Sequence, residues 1–267
     1  MDQIPGFSLN IKKIILEQSK RANVGHIGPA LSIADLIAVL YEHVLRVPSP
    51  PDPQRDRFIL SKGHAALALY AALFLKGWIS QSDLNSYCGD GTLLGVHPEY
   101  ELPGIDFATG SLGLGLSFGV GAALAARLQG SPRHIFVLVS DAECNEGSLW
   151  EAVMSAAHFK LSNLIAIVDL NGQQALGYTD QILNLSPLSA RWQAFGWDVH
   201  EVDGHSYVDL ADKFTALDFE GNQPHVLIAH TVSGKGVSFM EHQVKWHYWP
   251  MSDQEYRQAL SEIGAVG

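Results

Sequence analysis

Cysteine is scarce: Cys88 and Cys144 are the only two in 267 residues. That number excludes a disulfide framework and gives no zinc-ligand spacing, so both are expected to be small buried thiols. Basic residues are also in short supply, with 17 Lys and Arg against 28 Asp and Glu and a formal net charge of -11. A nucleic-acid surface needs clustered cations, so no such partner is expected. No apolar run reaches the roughly 18 residues that a membrane-spanning helix requires. The uncharged stretch at residues 111–126 is Gly-rich. The opening "MDQIPGFSLNIKKIILEQSK" lacks the basic, apolar, small-residue order of a secretory signal. A cytoplasmic, reducing location without membrane contact is the expectation. There is no internal repeat, heptad pattern or low-complexity tail.

What is present is apolar bulk and histidine. Hydrophobic residues make up 47% of the chain, enough for a sizeable core in a single domain over 1–267, and there are 12 histidines. Helical spacing marks 31–45, 65–77 and 151–160; short apolar or β-branched runs mark strands at 57–61, 134–140, 163–170, 197–202 and 225–232. Alternating strands and helices predict an α/β fold, a mostly parallel sheet flanked by helices. Residues 89–104 read as a long loop, and the loops around His97 and beyond Gly234 are where a binding site is expected. "GKG" at 234–236 lacks the spacing of a phosphate-binding P-loop.

Two runs end alike. "HIFVLVS" stops at Asp141 and "NLIAIVDL" stops at Asn171, with one helix between them. A right-handed βαβ crossover makes these strands parallel and brings Asp141 and Asn171 to the same carboxyl edge of the sheet, where open α/β sheets bind ligands. The intervening helix begins near 146–148, so its N-terminus faces the same place and favours an anion. A carboxylate, a carboxamide oxygen and main-chain carbonyls form a hard oxygen donor set suited to Mg²⁺ or Ca²⁺ holding a diphosphate. The plainer alternative is that Asp141 caps the next helix and Asn171 turns the chain.

"SDAECNEG" followed by "LIAIVDLNG" resembles the thiamine-diphosphate motif, usually Gly-Asp-Gly and, about thirty residues on, Asn. The blocks "GHIGPALSIADLIAVLY" (25–41), "SKGHAALALYAAL" (61–73), "HPEYELPGIDFATGSLGLGLSFGVGAALA" (97–125), "VDGH" (202–205) and "GKGVSFMEHQVKWH" (234–247) resemble transketolase, in particular the N-terminal subunit of the split type. The resemblance implies thiamine diphosphate as cofactor and Mg²⁺ held by Asp141, Asn171 and the main-chain oxygen of Gln173, with Ca²⁺ or Mn²⁺ as alternatives. It implies His64, Gly110, Leu112, Gly113, Ala142 and His247 around the cofactor, and Glu146 near both cofactor and partner chain. His26, His97 and His247 would face the reacting sugar. The other histidines are expected to have no catalytic part, His205 orienting a strand end.

The implied reaction is transfer of a two-carbon ketol unit from a ketose or ketose phosphate to an aldose. The pyrimidine-binding domain is expected on a separate C-terminal-type subunit, in an α2β2 heterotetramer, and this chain alone is expected to be inactive. Alternatives are another thiamine-diphosphate enzyme half (acyloin synthesis, or the α-type half of a 2-oxo acid dehydrogenase) and a non-catalytic scaffold. The departures are Ser140 and Ala142 in place of the usual glycines, and "WHYWPMSD" after the last histidine. Ala142 would be strained if φ there were positive. Tyr248 and Trp249 would narrow the substrate mouth or pack on a partner.

Overall fold

A computed structural model describes residues 1–265. Five strands form one parallel sheet: β1 (Arg57–Leu60), β2 (Ile135–Ser140), β3 (Leu164–Leu170), β6 (Asp198–Asp203) and β7 (His225–His230), in the order β1-β2-β3-β7-β6. A small hairpin, β4 (Gln173–Gln174) and β5 (Gly177–Tyr178), follows β3. The helices are α1 (Ile4–Ala22), α2 (Ile27–Ser32), α3 (Ala34–Val39), α4 (Ala66–Leu75), α5 (Gln81–Leu84), α6 (Gly115–Leu128), α7 (Gly147–His158), α8 (Thr179–Ile182), α9 (Leu188–Ala194), α10 (Tyr207–Thr215) and α11 (Asp253–Ala265).

The central strands are apolar at nearly every position because both faces are covered. Phe136, Leu138, Ile165, Ile167 and Leu227 point into a core shared with α1 to α4, α10 and α11. Their neighbours Val137, Val139, Ala166, Val168 and Ile228 point the other way, against α6, α7 and α9. The sheet expected from the alternating runs is therefore present, with each strand within a residue or two of its expected bounds.

The helices differ more from expectation. The apolar run 31–45 is two short helices, α2 (with its start at Ile27) and α3, closed by a π turn at Leu40–Val44. Helices α1 and α6 lie outside the expected helical runs. In α6 the glycines hide the helical period, and Gly119 shows why one is needed: a Cβ there would lie 2.4 Å from Val137 Cγ2 on the sheet. Cys144 is buried as expected, whereas Cys88 is only half-buried. No described helix is long and apolar enough to cross a membrane.

Candidate functional site

The β2–α7–β3 unit is parallel, with Ser140 in register with Asp169, so the two strands end side by side. Asp141 accepts the Ala142 N–H at 2.9 Å and, across the gap, the Gly172 N–H at 2.8 Å. Gly172 can make that turn because it adopts φ of +73°. Asn171 donates its side-chain N–H to Asp169 at 2.7 Å and accepts the Gln173 N–H at 2.9 Å. Burial, and then the charge of Asp169, push the Asp141 carboxyl up to about 7. Asp141 thus caps its own turn, as the plainer reading has it, and also spans the two strand tips.

Between these tips and the loops above them lies a cavity of about 330 Å³. Its wall includes His26, His64, His97 and His247, with Gly110, Leu112, Ala142, Glu146, Asn171 and Gln173. Asp141 is buried just behind the wall, and Gly113 packs under Glu146. The cavity thus brings together residues that the sequence scatters from position 26 to 247.

Each histidine is set by a local device. His26 sits in the left-handed region at φ of +60° and donates its main-chain N–H to the His247 carbonyl at 3.1 Å, which joins the start of α2 to the last site loop. The His64 and His247 rings stack at 5.1 Å, and His26 lies 5.4 Å from each. Tyr70 donates to the His97 carbonyl at 2.8 Å and ties that loop to α4. Burial, then the charge of a neighbouring histidine (His97 for His26, and His26 for His247) and of Lys62, lowers both His26 and His247 to about 4. His64 is held low by burial and Lys62. His26 and His247 are therefore neutral imidazoles at pH 7.

Glycine shapes the wall opposite. At Gly113, φ of +82°, a Cβ would lie 2.6 Å from Glu146 Cβ and 2.7 Å from Ser148 Oγ. The departures from the usual motif prove mild. Ala142 opens a 3-10 turn and stays out of the left-handed region, so its methyl group carries no such strain. Ser140 adds a hydroxyl that accepts the Glu143 N–H at 3.2 Å.

Sequence reasoning missed three buried groups. Glu143 takes the Ser61 hydroxyl at 2.5 Å and the N–H groups of Gly113 and Ser140 at 2.9 Å each, tying β1, the glycine segment and β2 together. Lys62, on the cavity wall, and Asp169, beneath it, form a buried ion pair. An acidic or basic residue next to a motif gives no sign in sequence of whether it points inward. His205 accepts the Val232 N–H at 2.9 Å while its other nitrogen meets Asp35 at 2.8 Å, so it orients the end of β7 as expected. His200 and His225 share Asp198, at 2.8 and 2.9 Å, and none of the three is on the cavity wall.

Several buried polar atoms on this wall have no hydrogen-bond partner: His26 Nδ1, His247 Nδ1, Asn145 Oδ1, Gln173 Nε2 and Gln174 Nε2. Buried polar groups are almost always satisfied, so this cluster is suited to a polar ligand. The Asp141 carboxyl and Asn171 oxygen are hard donors, and each of their oxygens keeps a lone pair beyond its N–H contact.

The family model of transketolase, thiamine diphosphate binding domain, matches residues 8–266. The chain is 41% identical to a subunit of the apulose-4-phosphate transketolase of Phocaeicola vulgatus, over 94% of its length and 90% of that protein. It is 38% identical to the 6-deoxy-6-sulfo-D-fructose transketolase subunit SqwG of a Clostridium species, over 96% and 94% of the two chains. The crystal structure of transketolase from Campylobacter jejuni superposes with a TM-score of 0.92 at 29% identity, covering 99% of this chain and 43% of that one. The chain thus spans about two-fifths of the length of the solved transketolases. Its sheet and helices form the thiamine-diphosphate-binding fold and the family matches along nearly all its length, so the chain belongs to the transketolases, as an N-terminal subunit of the split type and a transferase.

Proposed function

We propose that this chain is the diphosphate-binding half of a two-subunit transketolase that moves a two-carbon ketol unit from a ketose, free or phosphorylated, to an aldose. The observation that carries the proposal is the cavity itself, where Asn171, backed by the buried Asp141 that holds Gly172, faces four histidines drawn from distant segments. The names of the relatives, subunits of transketolases for apulose 4-phosphate and for a sulfofructose, support an anionic ketose as donor.

Asp141, Asn171 and the main-chain oxygen of Gln173 would hold Mg²⁺, with Ca²⁺ or Mn²⁺ as substitutes. The donor set fits: a buried carboxyl pushed up by desolvation gains most from a divalent cation. His64 and the segment Gly110–Gly113 would contact the cofactor. Thiamine diphosphate, when bound, supplies the nucleophilic carbon and electron sink that carbon–carbon cleavage needs. His26 and His247, neutral at working pH, can accept a proton from a sugar hydroxyl or hand one on, and His97 stands on the same wall.

A second subunit with a pyrimidine-binding domain would cover the cavity, in an α2β2 assembly. Exposed side chains on the wall itself, Leu112 and Glu146, support this, and so do exposed Leu114, Leu176 and Tyr178 in the segments that carry other wall residues. The two unusual aromatics divide between roles. Tyr248 lines the cavity, 5.3 Å from His26 and 4.8 Å from His247, and narrows the substrate mouth. Trp249 is 63% exposed and is not on the wall, which suits a partner contact.

The test is calorimetric titration of thiamine diphosphate and Mg²⁺ into the reconstituted pair, alongside turnover of a ketose donor. Metal-dependent binding, lost in Asp141→Ala, and turnover only with the partner are the expected results. Turnover by the isolated chain at an ordinary rate, or binding indifferent to metal, would overturn the reading.

A further inference from the structure

We propose that the buried pair Lys62–Asp169 is a positioning element that fixes which way the Asn171 carboxamide faces, and so sets the affinity of the strand-tip metal site; the inference rests on the metal reading above. Lys62 and Asp169 are almost wholly out of water, with side chains 1% and 0% exposed. Asp169 lies on β3 beside Ser140 of β2 and Ala229 of β7, directly under the strand tips.

Both of its oxygens are engaged. One takes the Thr231 hydroxyl. The other takes the Lys62 ammonium, the Ser32 hydroxyl at 2.9 Å and the Asn171 side-chain N–H at 2.7 Å. As the partner of an ammonium, Asp169 is a carboxylate and can only accept. A carboxamide has no preference of its own between its two nearly isosteric faces. Set against an acceptor-only neighbour, Asn171 must offer its NH₂ there and turn its oxygen outward, where it meets the Gln173 N–H at 2.9 Å. Asparagine at 169 would accept either face of the amide and remove that half of the constraint, leaving the Gln173 N–H alone to select the oxygen.

Lys62 makes the arrangement tolerable. Without it, Asp169 and Asp141 would be two buried carboxylates with no cation between the strands. The same ammonium reaches the Pro29 carbonyl at 3.2 Å and Ser32 Oγ at 3.4 Å, so the network also anchors α2, whose N-cap is His26. Neighbours that orient a metal ligand commonly govern affinity although they never touch the ion.

The test follows Mn²⁺ binding by electron paramagnetic resonance, with saturating thiamine diphosphate, on the full chain alone and with its partner subunit. Asp169→Asn is expected to weaken Mn²⁺ by about 10–100-fold, the range for lost outer-shell partners. In a double-mutant cycle with Asn171→Ala the two losses should not add, because one acts through the other. Should Asp169→Asn fail to fold with Lys62 left unpaired, Lys62→Met/Asp169→Asn removes both charges and should show the same weakening. Unchanged Mn²⁺ affinity beside a lowered melting temperature, or strictly additive losses, overturns the inference as a merely structural role. A wild-type chain that takes no Mn²⁺ in either form sinks the metal reading itself, and this inference with it.

Discussion

Gly113 is held at φ of +82° with two side chains where a Cβ would go. Gly113→Ala should therefore cost about 1 kcal/mol or more in backbone strain alone, read as a lower melting temperature, and weaken thiamine diphosphate binding in calorimetry. His26 and His247 allow a pH prediction. Both are lowered from the ordinary 6.5 to about 4, so between those values the unfolded chain binds more protons than the folded one. Their share of the stability therefore falls as pH drops from about 6.5 towards 4 and is level above that window, while the raised Asp141 carboxyl contributes the opposite slope up to about 7. Denaturant midpoints across the window should show the histidine share as the difference between the wild type and His26→Gln/His247→Gln. At this scale, legibility depended on spacing. Asp141, Asn171 and the four histidines stood in recognisable contexts, whereas Glu143 and Asp169 matter through partners up to 137 residues away that no local pattern marks.

Strands were easier to read than helices. A buried parallel strand is a short apolar run and little else imitates it, which is why β2, β3 and β7 stand within a residue or two of their expected bounds. Helix α6 was concealed because the glycines that let it approach the sheet also erase its period. Gly119→Val would drive a methyl group into Val137 and Leu164 and should cost about 1–3 kcal/mol, measured by urea unfolding. Glu143 joins three elements at once. Glu143→Gln turns an acceptor-only group into one that faces two main-chain N–H groups with half an amide. An expected loss of about 1–3 kcal/mol, with slackened cofactor binding, follows from the buried donors left unpaired.

On the scale of the molecule, the site is finished on one side only. Walls of glycine, histidine and strand tip line the cavity, while exposed Leu112 stands on its wall and exposed Leu176 and Trp249 follow the lining residues Ala175 and Tyr248 in the chain. Trp249→Ser is expected to weaken association with the partner subunit by at least tenfold, in keeping with a buried aromatic anchor, as sedimentation analysis would show. Metal binding measured beside it should hold, since Trp249 is absent from the cavity wall. Glu146 and Trp249 stand out in the sequence as partner-facing, whereas Leu176 and Tyr178 do not, because an exposed apolar residue and a core one are written with the same letter.

The unpartnered imidazole and carboxamide atoms on the cavity wall carry one more consequence. They make the folded chain dependent on supply. A ligand at a hundredfold excess over its dissociation constant stabilises its host by about 2.7 kcal/mol, enough to change how fast proteases clear it. On the proposed cofactor reading, chain deprived of thiamine diphosphate should be digested faster than chain supplied with it.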